Sequence, residues 1–454
     1  MDTTLPERGR RGRIGDEGAA TYTPDVIRRG RARAFYVATV STATLLAACT
    51  SSATVSPTST VTSTPSTVAQ RADDGVLRIG VLLPESGVGA PIGVSELAAV
   101  HVAVDRANAA GGVLGQKVQL IIRNEGVDAV AAGVGLQQLI ESQIDVLIGP
   151  ANSNTAIALA PAIVQAGIAA CSPSASALAL DDFPDNGLLF RTIASDSLQA
   201  EAMAEVIEQT GETSAAITYV DDGYGRLFEK ALERALRQRG IKVDAAVGFS
   251  VDNSKFSTEA VRAVKSGTGA IALIGDPDAG SRVLAALADA MGGAPRDIVV
   301  NDALRKPFSI SLLAAIAPNT RARIVGVSPY VRTDDKDLLA SVTSQDSNAS
   351  GLFATQAFDC ANVFMIAAEQ TGSTQADAIK TAIPGISTAG SSCASFSECR
   401  ALVAQHRRIK YDGPSGRLVL GASGDVSSAL FDEFDFDPSG RDTSVRQLEV
   451  GQRG

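Results

Sequence analysis

The chain has 454 residues, of which 45% are hydrophobic and 20% are charged, and its net charge is −10. This length indicates two or three domains with sizeable cores, and the composition excludes collagen, coiled coil and disorder along the whole chain. Residues 1–48 carry eight Arg and five acidic residues, so the rest of the chain has a net charge of −13. An anionic body excludes nucleic acid as a partner, because phosphate binding needs a cationic surface. With two His in the sequence, we expect neither a metal site nor a cofactor.

The first 48 residues have the pattern of an export signal. Four Arg between positions 28 and 33 precede the uncharged stretch 35–48, which is too short to span a bilayer stably. The stretch leads into the tetrapeptide LAAC, which ends at Cys49. This tetrapeptide resembles the lipobox of bacterial lipoproteins, in which the Cys is acylated and becomes the new N-terminus. We therefore predict a signal peptide with a long polar start over 1–48 and lipidation of Cys49.

The segment 49–75 is predicted to be a disordered tether. Residues 51–70 contain 12 Ser or Thr, two Pro and no charged side chain. Such a segment cannot bury enough apolar surface to offset the entropy lost on ordering. A tether of this length would hold a folded body away from a membrane.

Apolar, β-rich runs alternate with longer helical stretches along the rest of the chain. The predicted strands are 77–83, 118–123, 145–148, 215–220, 270–274, 297–300 and 323–327. The predicted helices include 95–110, 198–210, 225–239 and 280–291. This alternation predicts βαβ units, and hence parallel sheets covered by helices on both faces. A body of roughly 360 residues is too large for one sheet, so we expect an α/β fold with two lobes.

Patterns that would indicate catalysis are missing from the sequence. It contains no HExxH, GxSxG or GxxxxGK pattern, and the run GVGAPIG departs from GxGxxG at Ile92. The acidic run 431–440 is predicted to be an edge strand with outward-facing acids rather than a calcium site. We therefore predict that the protein is not an enzyme.

Short polar side chains follow several of the predicted strands. Ligands of parallel sheets bind beyond the carboxyl ends of the strands, where hydroxyls and helix-start N–H groups hold an anionic oxygen without a formal charge. Ser and Asn are equally ordinary there as helix N-caps, so spacing alone leaves both interpretations open. The side chains concerned are Ser153, Ser174, Ser176, Tyr224 and Asp302.

Six segments of the body have distinctive sequences. They are IGVLLPESG, AAVHVAVDRANAAGGVLGQKVQLI, QLIESQIDVLIGPANSNTAIALAPAIVQAGIAACSPSASALAL, LFRTIASDSLQAEAMA, YVDDGYGRLFEKALERAL and YDGPSGRLVLGASGD. Together they resemble the type I periplasmic binding proteins of branched-chain amino acid ABC transporters. The resemblance implies two Rossmann-like lobes, each a parallel sheet flanked by helices, joined by a three-strand hinge. It implies lobe 1 over 76–194 and 328–410, lobe 2 over 195–327 and 411–440, and a tail over 441–454.

The resemblance also implies roles for the polar turns. Ser153 matches a Ser whose hydroxyl and following N–H face the ligand carboxylate, and Ser176 matches a Thr that adds a hydroxyl. Ser174 matches a position whose backbone binds both the carboxylate and the ammonium. Tyr224 matches an aromatic of lobe 2 that closes over the ligand, and Asp302 matches an acid that pairs with the α-ammonium.

Two positions depart from the pattern of these binding proteins. Ile92 matches a position near the ligand side chain that is often aromatic, and the turn 275–278 lacks the aromatic that many relatives have. Fewer flat apolar walls would therefore meet the ligand side chain. Both departures leave room for a small, polar or amide ligand.

The resemblance implies an extracytoplasmic solute-binding lipoprotein that captures an amino acid or a related small amide and delivers it to the permease subunits of an ABC importer. We expect a monomer that is anchored to the membrane by its lipid. The alternative is a ligand-sensing or interaction lipoprotein of the same fold without a transport role. Neighbouring genes for permeases and ATPases would favour import, whereas a neighbouring sensor kinase would favour signalling.

The remaining cysteines fit an exported protein. With Cys49 lipidated, four cysteines are left, which allows three pairings. Cys393 and Cys399 lie six residues apart in a loop-rich stretch, so we predict a local disulfide between them. Cys171 and Cys360 fit as small buried hydrophobic residues, and the sequence does not settle whether they pair.

Overall fold

A computed structural model of the chain describes residues 73–305, 310–330, 336–416, 418–421 and 423–451. The predicted signal peptide, Cys49 and most of the predicted tether lie outside these residues. Asp73, which was predicted to belong to the tether, instead contacts the folded body. Its carboxylate accepts hydrogen bonds from the hydroxyls of Ser373 at 2.6 Å and Thr374 at 3.1 Å.

The first part of the body forms a sheet of five parallel strands in the order β2-β1-β3-β4-β5. The strands are β1 (Arg78–Leu83), β2 (Gln119–Asn124), β3 (Val146–Ile148), β4 (Ala169–Ser172) and β5 (Leu189–Arg191). The helices between them are α1 (Ala90–Ala109), α2 (Ala129–Glu141) and α3 (Ser153–Ala166). Buried apolar side chains along β1, β3 and β4 explain why this sheet is covered on both faces.

The chain then crosses to a second sheet, which it builds as far as residue 329. Its helices are α4 (Asp196–Gln209), α5 (Gly223–Gln238), α6 (Ser257–Lys265), α7 (Ala279–Met291), α8 (Ile310–Ala315) and α9 (Pro318–Arg321). Its strands are β6 (Ser214–Val220), β7 (Lys242–Phe249), β8 (Ala270–Ile274), β9 (Ile298–Val300) and β10 (Ile324–Pro329). These five strands are parallel to one another.

The rest of the chain returns to the first sheet and then crosses again to the second. The returning elements are α10 (Lys336–Gln345), α11 (Ala354–Thr371), α12 (Ala376–Thr388), β11 (Ser391–Cys393), α13 (Phe396–Val403) and β12 (Ile409–Tyr411). The last two strands, β13 (Ser428–Phe436) and β14 (Asp442–Gly451), complete a seven-stranded sheet in the order β14-β13-β10-β9-β8-β6-β7. The chain thus passes three times between two α/β sheets, as the predicted fold class requires.

The stretch Gly87–Ala109 is a core helix of this body. By length and composition alone it could cross a membrane, but half of its most apolar window is buried in the structure. Helix α1, which forms most of this stretch, packs against α10 and α11. Its apolar side chains are therefore accounted for by packing within the body.

Two predictions near the C-terminus are wrong. The acidic run lies mostly in β13, which is not an edge strand, because β14 pairs with it in the stretch that was predicted to be a tail. Two of its acids are buried rather than outward-facing: Asp432 forms an ion pair with Arg305, and Glu433 forms one with Arg446. Apolar residues alternate with these acids, so local pattern alone did not reveal the covering strand.

Both pairs of remaining cysteines form disulfides. The predicted local bridge between Cys393 and Cys399 is confirmed. Cys171, at the end of β4, is joined to Cys360 of α11 across 189 residues of sequence. The second bridge therefore ties the returning helix layer to the first sheet.

Candidate functional site

The turn after β3 begins with a glycine that no other residue could replace without strain. Gly149 has φ = 107°, and a Cβ there would lie 2.1 Å from the carbonyl oxygen of Leu82. The turn leads into α3, whose N-cap is Asn152. The Asn152 side chain accepts from the amides of Asn154 at 2.9 Å and Thr155 at 3.2 Å. Ser153 is therefore the first helical residue, and its hydroxyl is not used for capping.

The turn after β4 lies beside the turn after β3, because the two strands are parallel neighbours. Two hydrogen bonds join the turns. The Ser174 hydroxyl donates to the carbonyl of Ala151 at 3.1 Å, and the amide of Ala177 donates to the Ser153 hydroxyl at 3.3 Å. Ser176 lies between them in sequence and is half-buried, as are the other two serines. The structure thus brings the three predicted serines together at one edge of the first sheet.

A buried arginine holds this serine edge in place. Arg191 is 3% exposed and donates to the carbonyl of Ala177 at 3.1 Å. Its guanidinium also forms ion pairs of 2.6 Å with Asp181 and with Asp425, which lies on the last crossing segment. Because both carboxylates already neutralise it, Arg191 is a positioning residue rather than a free cation.

Tyr224 projects from the start of α5 on the second sheet. The Asp222 side chain caps this helix by accepting from the amide of Gly225 at 2.8 Å. A Cβ at Gly225 would lie 2.0 Å from the carbonyl oxygen of Val220, so glycine lets the helix start directly at the strand end. The Tyr224 ring packs edge-to-face on Phe228, with ring centroids 5.9 Å apart.

Asp302 lies next to Tyr224 although the two are far apart in sequence. The Asn301 side chain donates to the Tyr224 hydroxyl at 3.3 Å, and Asp302 follows it in a short 3-10 helix, Asp302–Leu304. The Gln199 amide donates to the Asp302 carboxylate at 3.1 Å. Burial raises the pKa of Asp302, and the Gln199 hydrogen bond opposes this rise in part.

Asp196 connects the two sides of the site. Its amide donates to the carbonyl of Ser176 at 2.9 Å, and α5 contacts both α3 and the 3-10 helix Leu178–Leu180. The Asp196 side chain is fully buried, and neither carboxylate oxygen has a hydrogen-bond partner among the residues that the structure describes. Burial raises the pKa of Asp196 well above its usual range and the nearby Asp302 raises it further, whereas the Ser176 hydroxyl and Arg191 oppose the rise.

The same two acids affect the pKa of the Tyr224 hydroxyl. Burial raises the pKa of Tyr224 well above its usual value, and the carboxylates of Asp196 and Asp302 add to the rise. The five predicted polar residues are therefore brought together, with Asp196 and Gln199 as members that sequence reasoning missed. Asp196 directly follows the helix cap Ser195, so in the sequence it looks like an ordinary acid of a first helical turn.

Ile92 and Glu96 lie one helical turn apart on α1. Ile92 is half-buried, whereas Glu96 is fully buried, and neither of its carboxylate oxygens has a hydrogen-bond partner within the described ranges. Burial raises the pKa of Glu96 to about 8, the neighbouring Ser174 hydroxyl opposes the rise, and Glu125 adds to it. Glu96 was also missed, although an acid inside an apolar helical stretch was a signal that could have found it.

The sequence of most of the body matches a known family. A sequence model described as periplasmic binding protein matches residues 76–425. The Leu/Ile/Val-binding protein homolog 3 of Brucella melitensis is 24% identical over 364 residues, which are 80% of this chain and 91% of that protein.

Solved structures have the same fold. The substrate-binding protein LivJ of a branched-chain amino acid transporter from Streptococcus pneumoniae, in complex with isoleucine, has a TM-score of 0.65 and 20% identity and covers 83% of this chain and 100% of its own. A solute-binding protein of an ABC transporter from Rhodopseudomonas palustris, in complex with p-hydroxybenzoic acid, has a TM-score of 0.66 and 18% identity. The match covers 83% of this chain and 98% of that protein. Because the family's sequence model spans most of the chain, the protein belongs to the periplasmic binding protein family.

Proposed function

We propose that the protein captures an amino acid between its two sheets and delivers it to an ABC importer without chemical change. The observation that carries this proposal is the meeting of a serine edge with a pair of acids, the buried Asp196 and the half-buried Asp302. Ser153, Ser174 and Ser176 lie on one side, and Asp196 and Asp302 on the other. Hydroxyls on one side and carboxylates on the other match the two charged ends of a zwitterion.

The serine edge is suited to the ligand carboxylate. Hydroxyl and amide donors bind an anion without adding a formal charge, and each hydrogen bond to a charged group contributes about 1.5–3 kcal/mol. Asn152 caps α3, and the Ser153 hydroxyl accepts from the Ala177 amide, so its own hydrogen is left to donate to the ligand at the helix N-terminus, where a negative charge is favoured.

The acidic pair is suited to the ligand ammonium. Asp302 lies close enough to Asp196 to raise its pKa, and the two buried oxygens of Asp196 supply hydrogen-bond acceptors. An ammonium placed between them would favour the ionised carboxylates, because an opposite charge lowers a carboxyl pKa. The Tyr224 ring would close over the ligand from the second sheet.

The connections between the sheets suit a hinge. Three chain segments join the two α/β units, so the units can rotate about these segments as rigid bodies. Ligand bridging the serine edge and Asp302 would stabilise the closed arrangement, and the permease would recognise that arrangement. Its relatives include a Leu/Ile/Val-binding protein homolog and a branched-chain amino acid transporter substrate-binding protein, which supports this assignment.

The location proposed for the protein is the extracytoplasmic face of the cell membrane, with Cys49 as the lipid anchor. The signal pattern over 1–48 supports export, and two disulfides are typical of an oxidising compartment. The protein would act as a monomer, with its ligand and permease subunits as partners.

A thermal-shift screen tests the ligand class. The chain from residue 49, with Cys49→Ser, would be unfolded and refolded to remove ligand from the host, then screened against amino acids, amides, urea, aromatic acids and sugars. Ligand at one hundred times its dissociation constant adds about 2.7 kcal/mol of stability, which is easily detected. Stabilisation by amino acids supports the proposal, and stabilisation by uncharged solutes alone overturns the zwitterion site. No stabilisation by any of these compounds contradicts ligand capture.

A further inference from the structure

We propose that the ligand carries a second cationic group and that Glu96 binds it, so that the substrate class is basic amino acids such as lysine and ornithine. This inference rests on the proposed function and specifies its substrate. Glu96 lies on the first sheet's side of the site, apart from the pair Asp196 and Asp302.

Glu96 is buried without a partner of its own. Its side chain has no exposed surface, and both carboxylate oxygens lack hydrogen-bond partners among the described residues. A buried polar group in this state is costly, and each such group in a folded protein calls for an explanation. The Ser174 hydroxyl, part of the serine edge, lies close enough to act on the Glu96 carboxyl. A ligand held at that edge therefore lies within reach of Glu96.

Among the described residues, the helices and strands that pack against α1 carry no unpaired cation that could neutralise Glu96. The neighbouring charge that acts on it is Glu125, an acid. Of the elements that pack on α1, β1 carries Arg78, which is paired with Asp74, and α13 carries Arg400, which is paired with Glu369 of α11.

The other charged residues of these elements are either hydrogen-bonded to other groups or exposed to solvent. Asp359 of α11 accepts from the Tyr411 hydroxyl at 2.6 Å and the Ser415 amide at 2.8 Å. Lys336 and Asp337 of α10, and Glu398 of α13, are exposed. Glu96 thus faces the site as a buried acid with no offsetting cation.

The position of Glu96 fits the far end of a basic side chain. The resemblance placed Ile92 near the ligand side chain, and Glu96 lies four residues further along the same face of α1, a rise of about 6 Å. Roughly three or four methylene groups span that distance. A ligand whose α-carboxylate and α-ammonium occupy the serine edge and the acidic pair would bring a terminal ammonium to Glu96.

Charge balance favours a cation over a neutral group at this end. The site contains the buried acids Glu96 and Asp196 and the half-buried Asp302, and its nearby arginine, Arg191, is already paired with two carboxylates. A neutral amino acid brings no second cation, so the Glu96 carboxyl stays protonated and without a partner. A basic amino acid brings a second positive charge, which pairs with an otherwise costly buried acid.

Isothermal titration calorimetry with L-lysine, L-ornithine and L-norleucine tests the inference. Norleucine has the same carbon skeleton as lysine but no terminal ammonium. In the protein from residue 49 with Cys49→Ser, we expect lysine or ornithine to bind about tenfold or more tightly than norleucine. Binding of the basic ligand near pH 7 should release about one proton more than binding of norleucine, because Glu96 ionises on pairing. Asp196 and Asp302 meet the α-ammonium of both ligands, so the difference isolates Glu96.

Matched variants test the role of Glu96 itself. In Glu96→Gln, the preference for the basic ligand and the extra proton release should disappear, whereas norleucine affinity should stay within about threefold. Glu141→Gln makes the same substitution at an exposed site on α2 and should change neither property. Tight binding of norleucine or leucine, with lysine no better, overturns the inference and leaves amino acid capture standing. Failure of every amino acid to bind overturns the proposed function as well. The wild-type comparison decides the matter even if Glu96→Gln does not fold.

Discussion

The side-chain amide of Gln199 donates to Asp302 Oδ1 at 3.1 Å and to the carbonyl of Val327 at 2.7 Å. One residue of α4 therefore fixes the carboxylate that the sequence analysis assigned to the ligand ammonium. The amide has two hydrogens, and these two contacts use both, so Gln199 positions Asp302 without competing for the ligand.

Removal of the Asp302 carboxylate should abolish amino acid binding with little loss of stability. The Asp302→Ala variant loses an acceptor for the ammonium, but it also loses a carboxyl whose pKa burial raises, which is a cost to the folded state. Calorimetry would measure affinity, and urea unfolding would measure stability. The α-hydroxy acid analogue of the ligand is the control, since it has no ammonium and should bind both proteins alike. Unchanged affinity for the amino acid in Asp302→Ala would show that this acid does not meet the ammonium.

Loss of the serine hydroxyls should weaken ligands that carry a carboxylate. We expect Ser153→Ala combined with Ser176→Ala to reduce affinity for an amino acid by about tenfold or more, since hydrogen bonds to a charged group contribute about 1.5–3 kcal/mol each. The comparison ligand is the corresponding amino acid amide, which lacks the negative charge. An equal loss for both ligands would argue against a carboxylate at this edge.

Much of the fold could be predicted because its parallel strands are marked locally. The seven predicted strands all correspond to observed strands, since short apolar runs bounded by turns are what buried parallel strands require. The strand β7 was not predicted, because its side chains are mostly half-buried or exposed at a sheet edge. The strand β14 was not predicted for a similar reason: its first six residues are exposed or half-buried, and its pairing with β13 is a tertiary property.

The site could be predicted only where its residues lie in recognisable turns. Ser153, Ser174 and Ser176 follow strands, so strand order brings them together. Glu96 and Asp196 lie within helices, and only packing shows that their carboxyls are buried without partners. The sequence analysis expected one acid in the site, Asp302, whereas the folded chain adds Asp196 and Glu96.

The two disulfides should differ in their contribution to stability. In the chain-entropy account, a bridge across 189 residues contributes about 5 kcal/mol and a bridge across six residues about 2 kcal/mol. We therefore expect Cys171→Ala with Cys360→Ala to lower the free energy of unfolding more than Cys393→Ala with Cys399→Ala does. Urea unfolding of the two double variants would measure the difference. A larger loss from the local bridge would contradict the entropic account.

Replacement of Cys49 should release the protein from membranes. An acyl-modified Cys49 would anchor the chain, whereas Cys49→Ser leaves no thiol to modify. Cell fractionation followed by immunoblotting should find wild-type protein with membranes and the variant in the soluble or secreted fraction. Cys393→Ser combined with Cys399→Ser is the matched control, because it replaces two disulfide-bonded cysteines outside the signal region. Retention of Cys49→Ser in membranes would exclude lipidation at this residue as the anchor.

Glu96 should make the ligand-free protein less stable as the pH rises. Burial raises its pKa from 4.5 to about 8, so between these values the folded state holds a proton that the unfolded state has lost. The free energy of unfolding therefore falls with pH across this window, and it is insensitive to Glu96 below it, where both states are protonated.

Glu96→Gln removes this dependence. Relative to wild type, the variant should gain a few kcal/mol of stability between pH 5 and pH 9, since each unit of pKa difference corresponds to about 1.4 kcal/mol. Urea unfolding at pH 5, 7 and 9 without ligand measures the gain, with Glu141→Gln as the exposed control. Other titrating groups are common to both proteins and cancel in the difference. If the stability difference between the two proteins stays constant across this range, the pKa of Glu96 is the same in the folded and unfolded states. Glu96 would then be ionised in the folded protein, beside a cation or solvent, and the inference that it is buried without a partner would be wrong.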